Sequence, residues 1–298
     1  MTAFLLVALS LPCVYWPAGA GSRATLEAAG IERFCTEADL AQRDALPTPG
    51  TAARAGLASP TRSPWIVANG WRFTRHPRTT YVYDVPAGKA ALAAAEAFAY
   101  GADAVLKIDP ADIRSLGEML RFLQALPSVD LPTVSDLAIV EDGSAMTGEV
   151  MNLLARRNLL YEVVQARSPR FRINIEIGTP PYPRDEAADP SAFALKIRRQ
   201  LTDDQRALRV YGSEVVICRL TADAGRARLH LINYGGREIE GLRVRLRGAY
   251  GNGEAHVAGA GRLPLQDRIV ASGATEFSIP RLTTYAVIDL TAEPTRLP

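Results

Sequence analysis

The sequence has few of the residues that usually form metal or nucleophile sites. Of its 298 residues, three are cysteines and three are histidines. They are scattered along the chain as Cys13, Cys35, Cys218, His76, His230 and His256. There is no C-x-x-C pair, H-E-x-x-H helix, Walker A loop, G-x-S-x-G elbow or Rossmann G-x-G-x-x-G. The sequence therefore predicts neither a metal site nor a cofactor.

The two signs of charge almost cancel. The 34 basic and 32 acidic residues leave a net charge of +2, whereas dedicated nucleic-acid binders usually carry a strong basic excess. We therefore expect no nucleic-acid partner. With 48% hydrophobic residues, the chain is long and apolar enough for a sizeable core, and its length suggests two domains.

A short apolar run opens the chain. Ala3–Leu11 has the length of a signal-peptide core and is too short to span a bilayer, so we expect no stable membrane span. Ala18–Ala20 offers an A-x-A cleavage site, although no Lys or Arg precedes the run. These features favour a signal peptide over residues 1–20 and a periplasmic or extracellular protein. The alternative is a buried first strand at Val14–Trp16, and the two coexist if cleavage falls earlier.

The cysteines leave two alternatives. If the signal peptide is removed after residue 20, Cys35 and Cys218 remain and could pair across domains. Alternatively, both stay buried as free thiols, because free cysteine is among the most buried residue types.

The order of predicted elements divides the mature chain in two. Residues 21–202 alternate helices and strands around a Pro-rich loop at 45–64, which predicts an α/β domain with a mostly parallel sheet. Predicted elements there include helices at Lys89–Tyr100, Ala111–Leu126 and Pro190–Leu201, and a βαβ unit within Leu131–Val164. Residues 203–298 contain short β runs separated by Gly, Asp or Pro, which predicts an antiparallel β-sandwich.

The first candidate site lies at predicted strand ends. Alternation places Lys107 and Asp109 on one side of the strand Ala104–Ile108, at the carboxyl edge where ligands bind in parallel sheets. Glu141 and Asp142 follow the next predicted strand, and adjacent parallel strands lie about 4.8 Å apart. These carboxylates could flank one glycosidic bond, whose cleavage uses a carboxylate pair. The structural alternative is a Lys107–Asp109 ion pair, with Asp109 starting a helix and Asp142 shaping a turn.

The second candidate is an aromatic segment. Asn69-Gly70 is a tight-turn dipeptide between two predicted β runs within Trp65–Phe73, and Tyr81 and Tyr83 share one face of a further strand. Sugar rings stack on aromatic side chains, while amide and guanidinium groups bind their hydroxyls. The predicted sugar-binding residues are Trp65, Asn69, Trp71, Arg72, Tyr81, Tyr83 and Lys107. The alternative is an aromatic cluster in the core or in the hairpin.

The third candidate is a cationic face. Two predicted strands carry alternating cations, and Asn233–Gly236 between them predicts a hairpin. The cations are Arg226, Arg228, His230, Arg243, Arg245 and Arg247. Such a face suits carboxylate or phosphate groups. The alternative is a solvated face that is balanced by neighbouring acids such as Glu238 and Glu240.

Three segments resemble parts of multidomain glycoside hydrolases. The βαβ segment SDLAIVEDGS…GEVMNLLARRNLLYEVV resembles the class I glutamine amidotransferase-like domain that occurs non-catalytically in such enzymes, as in the β-galactosidase trimerisation domain. RARLHLINYGG is similar to their terminal sandwich domain, and GADAVLKIDP is similar to a barrel strand exit in glycosidases. The resemblance covers roughly Ala104–Leu290. An active amidotransferase needs a cysteine at a strand-to-helix elbow, but Cys218 lies inside the apolar strand Val215–Leu220.

The resemblance implies an exported, carbohydrate-associated protein with an amidotransferase-like α/β domain. It would hydrolyse or bind a glycan, with Asp109 and Asp142 (or Glu141) as the carboxylate pair. A complete eight-stranded barrel needs about 250 residues, so hydrolysis would use an incomplete or divergent barrel. The alternative is a non-catalytic binding or assembly module that self-associates or holds acidic glycans. A cytosolic small-molecule enzyme is a third alternative if the N-terminus is not processed.

Overall fold

The computed structural model describes residues 11–17, 23–52 and 64–292. The chain forms two compact units, residues 1–130 and 131–298. The predicted cleavage site at 18–20, almost all of the apolar run at 3–11 and much of the Pro-rich loop lie outside the described residues. In the described part of the chain, no helix is long and apolar enough to cross a membrane.

The first unit contains a five-stranded sheet in the order β2-β1-β7-β6-β3, and all neighbouring strands in it are parallel. Its strands are β1 (Cys13–Tyr15), β2 (Phe34–Cys35), β3 (Asp44–Leu46), β6 (Tyr81–Asp84) and β7 (Ala104–Lys107). Strands β4 (Gly50–Ala52) and β5 (Trp65–Val67) form a separate antiparallel pair. The helices are α1 (Arg23–Ala28), α2 (Gly70–Arg75), α3 (Ala90–Tyr100) and α4 (Ile113–Ala125). This confirms the predicted parallel α/β region.

The Ala-rich helix α3 lies in the interior of the first unit. Nine of its eleven residues are buried, which its small side chains permit because they allow neighbours to approach closely. The carboxylate of Asp112 accepts hydrogen bonds from the backbone N–H groups of Gly88 and Ala90, at 2.8 and 3.3 Å, and so caps the start of the helix. Gly101 ends the helix in the left-handed conformation, at φ 62°.

Strand β1 lies inside the sheet, between β2 and β7. Val14 is completely buried there, and Cys13 forms a disulfide with Cys35 of β2. Both alternatives are therefore wrong for Cys35, which pairs with Cys13 on the adjacent strand and is neither bonded to Cys218 nor a free thiol. Cys218 is a buried free thiol, and burial raises its pKa above the ordinary value.

The predicted hairpin around Asn69-Gly70 is also wrong. Strand β5 pairs with β4, and Gly70 begins helix α2. The backbone carbonyl of Asn69 accepts hydrogen bonds from the N–H groups of Arg72 and Phe73, at 2.8 and 3.1 Å, which is the start of a helix. The backbone N–H of Asn69 donates to Glu96 of α3, so a distant residue determines the conformation here.

The second unit begins with a small parallel sheet. Strands β8 (Leu137–Val140), β9 (Tyr161–Val164) and β10 (Asn174–Ile175) are arranged in the order β10-β8-β9. The helices are α5 (Ala145–Arg156), α6 (Arg184–Ala187) and α7 (Pro190–Gln200). Strand β8, helix α5 and strand β9 form the predicted βαβ unit. Ser144 caps α5, since its hydroxyl accepts from the N–H of Thr147 at 3.1 Å.

Two antiparallel sheets follow α7, in the orders β11-β14-β18-β17 and β12-β13-β19-β15-β16. Their strands are β11 (Leu208–Val210), β12 (Val216–Ala222), β13 (Arg226–Asn233), β14 (Ile239–Arg247), β15 (Asn252–Val257), β16 (Gly261–Pro264), β17 (Gln266–Ala271), β18 (Ala274–Leu282) and β19 (Tyr285–Thr291). Apolar side chains from both sheets form one core. This confirms an all-β region after the α/β region. The predicted domain boundary after residue 202 stays a prediction.

Strands β13 and β14 belong to different sheets, so the hairpin predicted between them is wrong. Their cations do not form one face. Arg228 makes two hydrogen bonds to Asp289, at 2.6 and 2.7 Å, and is almost fully buried. Arg243 forms an ion pair with Glu276 at 2.8 Å, and Arg245 contacts the same carboxylate. The cations are thus balanced by acids, but these are not the acids the sequence suggested.

Candidate functional site

Lys107 lies at the carboxyl edge of the first unit's sheet. It is in register with Tyr15 on one side and Asp84 on the other, so the three side chains leave the same face of the sheet. The Lys107 ammonium is 5.8 Å from the centre of the Tyr15 ring. Among the described residues, no carboxylate lies within ion-pairing distance of Lys107, so the expected Lys107–Asp109 ion pair is not formed.

Asp109 follows β7 and starts a short 3-10 helix at Pro110–Asp112. One oxygen of its carboxylate accepts a hydrogen bond from the N–H of Ala111 at 2.8 Å. This contact is the helix-starting role that the structural alternative predicts. The second oxygen of the carboxylate is not used by that contact.

Glu141 and Asp142 lie in the second unit, where they follow β8 and precede α5. Glu141 accepts from the N–H of Gly143 at 2.7 Å, and Asp142 accepts from the N–H of Ser144 at 2.9 Å. Partial burial opposes ionisation of Asp142, but hydrogen bonds from Thr147 and Ser144 and the nearby Arg184 outweigh it and lower its pKa. Both carboxylates therefore shape this turn, and their pairing with Asp109 stays a prediction.

The aromatic segment is mostly buried. Tyr83 and Asn69 are completely inaccessible, and Trp71 and Tyr81 are 8% and 3% exposed. The hydroxyl of Tyr83 donates to Glu96 at 2.5 Å, and burial together with that carboxylate raises the pKa of Tyr83 well above its ordinary value. Tyr83 and Asn69 thus belong to an interior polar cluster, which is the core alternative. Trp65 lies on β5 and is half-buried.

Three of the predicted binding residues line one cleft in the first unit. The cleft is bounded by β3, α2 and the first residue of β6, and its volume is about 270 Å³. Its lining residues are Asp44, Ala45, Leu46, Trp71, Arg72, Arg75, His76 and Tyr81. The structure therefore brings Trp71, Arg72 and Tyr81 together, whereas Trp65, Asn69, Tyr83 and Lys107 do not line this cleft.

Asp44, Arg75 and His76 also line the cleft, and the sequence alone does not single them out. Arg75 and His76 follow Arg72 by three and four positions, which is the spacing of one helix face. This helical spacing is outweighed in the sequence by Asn69-Gly70, which predicts a β-hairpin in the same segment. Asp44 is the register partner of Tyr81 in the neighbouring parallel strand, and only the sheet topology could place it.

Arg72 has an unusual environment for a cation. Its guanidinium carbon lies 4.3 Å above the ring of Trp71, which is a cation–π contact. Its Nε–H is enclosed and has no acceptor among the described residues. The two terminal amino groups of the guanidinium are not enclosed in this way. Within the described part of the chain, neither Arg72 nor Asp44 forms an ion pair, although both line the cleft.

Tyr81 lines the same cleft as Arg72 and Asp44. Its hydroxyl donates to the backbone carbonyl of His76 at 3.1 Å and lies 3.4 Å from that of Arg72. Burial raises the pKa of Tyr81, so the hydroxyl stays protonated at neutral pH. Over the ranges 11–17, 23–52 and 64–292, no three His, Cys, Asp or Glu side chains are grouped so that they could hold a metal ion.

Comparisons with known proteins identify a fold. No protein-family model and no curated protein matches the chain. Among solved structures, the chain is similar to α-L-fucosidase isoenzyme 2 from Paenibacillus thiaminolyticus, with 8% identity and a TM-score of 0.56. This match covers 89% of this chain and 69% of the fucosidase. The architecture of this chain is therefore similar to that of the fucosidase. At this level of identity, the likeness concerns the fold alone.

Two further matches have lower TM-scores. A rhamnosidase from Novosphingobium sp. PP1Y has 12% identity and a TM-score of 0.44, over 97% of this chain and 35% of that one. A GH42 β-galactosidase from G. stearothermophilus has 9% identity and a TM-score of 0.40, over 94% and 59%. The chain thus spans only part of each of these two proteins. None of these matches identifies an amidotransferase-like domain, which stays a prediction.

Proposed function

We propose that this protein binds carbohydrate and that its cleft between β3 and α2 holds one sugar residue. The observation that carries this proposal is that Asp44 and Arg72 line one cleft without an ion pair to any described residue. A sugar hydroxyl can donate to a carboxylate and accept from a guanidinium, so a ring with several hydroxyls matches both charges. The glycoside hydrolase-like fold supports the same conclusion.

The size and walls of the cleft support a single ring held by its polar groups. A volume of about 270 Å³ is just below the usual range of ligand pockets, about 300–1,000 Å³. Trp71 is nearly buried and Arg72 covers its ring, so the indole offers little open face for stacking. Hydrogen bonds to Asp44, Arg72 and His76 would therefore orient the sugar, while the indole holds the guanidinium in place.

A glycan array followed by calorimetric titration tests this proposal. The wild type is expected to bind at least one saccharide, and Arg72→Ala and Asp44→Asn are expected to weaken binding about tenfold or more. Arg114→Ala and Asp185→Asn, which change exposed residues that do not line the cleft, serve as matched controls. The proposal is wrong if the wild type binds no saccharide, or if the cleft variants bind as tightly as the controls.

Hydrolysis is a second candidate, with Asp109 and Asp142 (or Glu141) as the carboxylate pair. Asp109 follows the carboxyl edge of a parallel sheet, which supports it, because ligands of open α/β sheets bind there. The lowered pKa of Asp142 suits a carboxylate that stays ionised, as a base or nucleophile does.

A panel of aryl glycosides tests hydrolysis. We expect turnover by the wild type and a loss of at least about 100-fold in Asp109→Asn and Asp142→Asn, with Asp185→Asn unchanged. If no substrate is turned over, the alternative of a non-catalytic binding or assembly module on an inactive amidotransferase-like core is favoured. The turn contacts of Asp109, Glu141 and Asp142 support that alternative.

We also propose that the protein is exported to the periplasm or the extracellular space. The Cys13–Cys35 disulfide supports this location, because disulfides persist in oxidising compartments. Because β1 is part of the sheet, a signal peptidase would have to cut before Cys13 rather than after Ala20. N-terminal sequencing of the mature protein tests this: a first residue beyond Tyr15 would contradict it.

A further inference from the structure

We propose that the cleft between β3 and α2 selects an acidic sugar, a uronate, over the neutral sugar of the same ring. This inference rests on the proposed carbohydrate-binding function and names the substrate class. The cleft is lined by two guanidinium groups, Arg72 and Arg75, and by one carboxylate, Asp44. Arg72 carries this inference, because it lines the cleft and forms no ion pair with any described residue.

Arg72 provides the specific contact in this proposal. The contact with Trp71, 4.3 Å from the ring centre, restrains the guanidinium of Arg72, and all N–H donors of a guanidinium lie in one plane. The two terminal amino groups are not enclosed and can present parallel donors to a carboxylate. A neutral hydroxymethyl group has a single oxygen and can satisfy only one of them. The carboxylate of a uronate satisfies both.

The partial desolvation of the Arg72 guanidinium also favours an anionic ligand. A charged guanidinium whose Nε–H is enclosed without an acceptor has lost part of its hydration. Among the described residues, no carboxylate compensates for this loss. An anionic ligand group would provide the missing compensation, whereas a neutral ligand would not. The cleft is therefore better suited to a ligand that brings a negative charge.

Asp44 restricts which anions fit. Its carboxylate lies at the start of β3, beside its register partner Tyr81, and lines the same cleft as Arg72. It would accept hydrogen bonds from ring hydroxyls but would repel a second anionic group. A uronate has its carboxylate at one end and hydroxyls at the other, which matches Arg72 and Asp44 together. Inorganic phosphate has negative charge on all sides and does not match.

Calorimetric titration of the full chain tests this selectivity with two matched pairs, D-glucuronate against D-glucose and D-galacturonate against D-galactose. At least one uronate is expected to bind about tenfold or more tightly than its neutral partner, and inorganic phosphate is expected to bind more weakly than that uronate. Arg72→Gln is expected to abolish the difference within the pair. Arg114→Gln, at an exposed position, is expected to preserve it.

The outcomes separate this inference from the proposed function. If the neutral and acidic sugars of each pair bind equally, or if Arg72→Gln keeps the preference, the inference is wrong and the carbohydrate-binding function stands. If phosphate binds as tightly as the uronates, the cleft is a general anion site and the inference is also wrong. If neither these sugars nor any glycan on the array binds, both proposals fail. Circular dichroism of each variant checks that it is folded.

Discussion

Asn69 and Glu96 are joined by two hydrogen bonds in the interior of the first unit. The backbone N–H of Asn69 donates to one carboxylate oxygen of Glu96 at 2.6 Å, and its side-chain amide donates to the other at 3.5 Å. Both residues are completely buried. Because the carbonyl of Asn69 starts helix α2, Glu96 fixes the helix that carries Trp71 and Arg72 into the cleft.

Glu96→Gln is therefore expected to destabilise the protein by about 1–3 kcal/mol. Among the described residues, the Glu96 carboxylate accepts from the N–H and the amide of Asn69 and from the hydroxyl of Tyr83. A glutamine amide would turn a donor towards one of them and leave it unsatisfied. Urea unfolding measures the change, and Glu118→Gln at an exposed position is the control, expected to stay within about 0.5 kcal/mol. Equal stability of both variants would contradict this role of Glu96.

The disulfide between Cys13 and Cys35 is expected to contribute about 3 kcal/mol to the free energy of unfolding. It closes a loop with a sequence separation of 22 residues, and such a loop restricts the unfolded chain by about that amount. The double variant Cys13→Ser/Cys35→Ser should unfold at a lower urea concentration than the oxidised wild type. Dithiothreitol should then destabilise the wild type and leave the double variant unchanged. A wild type that is insensitive to the reductant would show that the bond is not formed.

His230 is expected to make the free energy of unfolding depend on pH below about 6.5. Burial, and then the nearby charges of Arg219 and Arg228, hold its pKa well below the ordinary value. As the pH falls below about 6.5, the unfolded state takes up a proton that the folded state excludes, so the stability falls.

The loss caused by His230 reaches at most about 1.4 kcal/mol per pH unit. His230→Gln removes this titration and keeps a side chain that can hydrogen-bond Tyr285, the partner of His230 at 2.6 Å. Unfolding at pH 5.5 and 7.0 should therefore show a smaller pH effect in the variant than in the wild type. Parallel pH dependences in the two proteins would refute the assignment.

Gly117→Ala in helix α4 is expected to destabilise the protein by about 1–3 kcal/mol, although alanine favours helix by about 1 kcal/mol over glycine. A Cβ atom at this position would lie 2.0 Å from the backbone oxygen of Ala29, which cannot move aside alone. Thermal unfolding measures the effect, with the exposed Gln124→Ala in the same helix as the control. A Tm for Gly117→Ala at or above that of the wild type would contradict the close approach of Gly117 to the backbone oxygen of Ala29.

Local patterns predicted much of the fold. The apolar periodicity of residues 111–126 corresponds to α4, and the Ala-rich run at 89–100 corresponds to α3. The predicted ends of both helices lie within two residues of the observed ends. These helices follow the sequence because one face of α4, and nearly all of α3, is apolar. The sequence likewise predicts the change from α/β structure to short antiparallel strands. Alternation of apolar and polar residues with a period of two, and frequent Gly and Pro, are local properties of the sequence.

The cleft was only partly predictable for a physical reason. The chemistry of Trp71, Arg72 and Tyr81 points to a binding role, but Asn69-Gly70 predicts a turn because this dipeptide usually forms one. Glu96, which is distant in the sequence, binds Asn69 and starts a helix there instead. Local preference was overridden by a buried carboxylate that required donors.

The amino-acid sequence by itself determined most of the element types, the near-neutral charge and the chemical character of the candidate residues, since each depends on composition or short-range periodicity. Only the tertiary structure decided which residues meet. Parallel pairing of β3 with β6 brings Asp44 beside Tyr81, and the disulfide joins Cys13 to Cys35 rather than Cys35 to Cys218. Such contacts depend on strand order and on satisfying buried polar groups, which are properties of the folded chain as a whole.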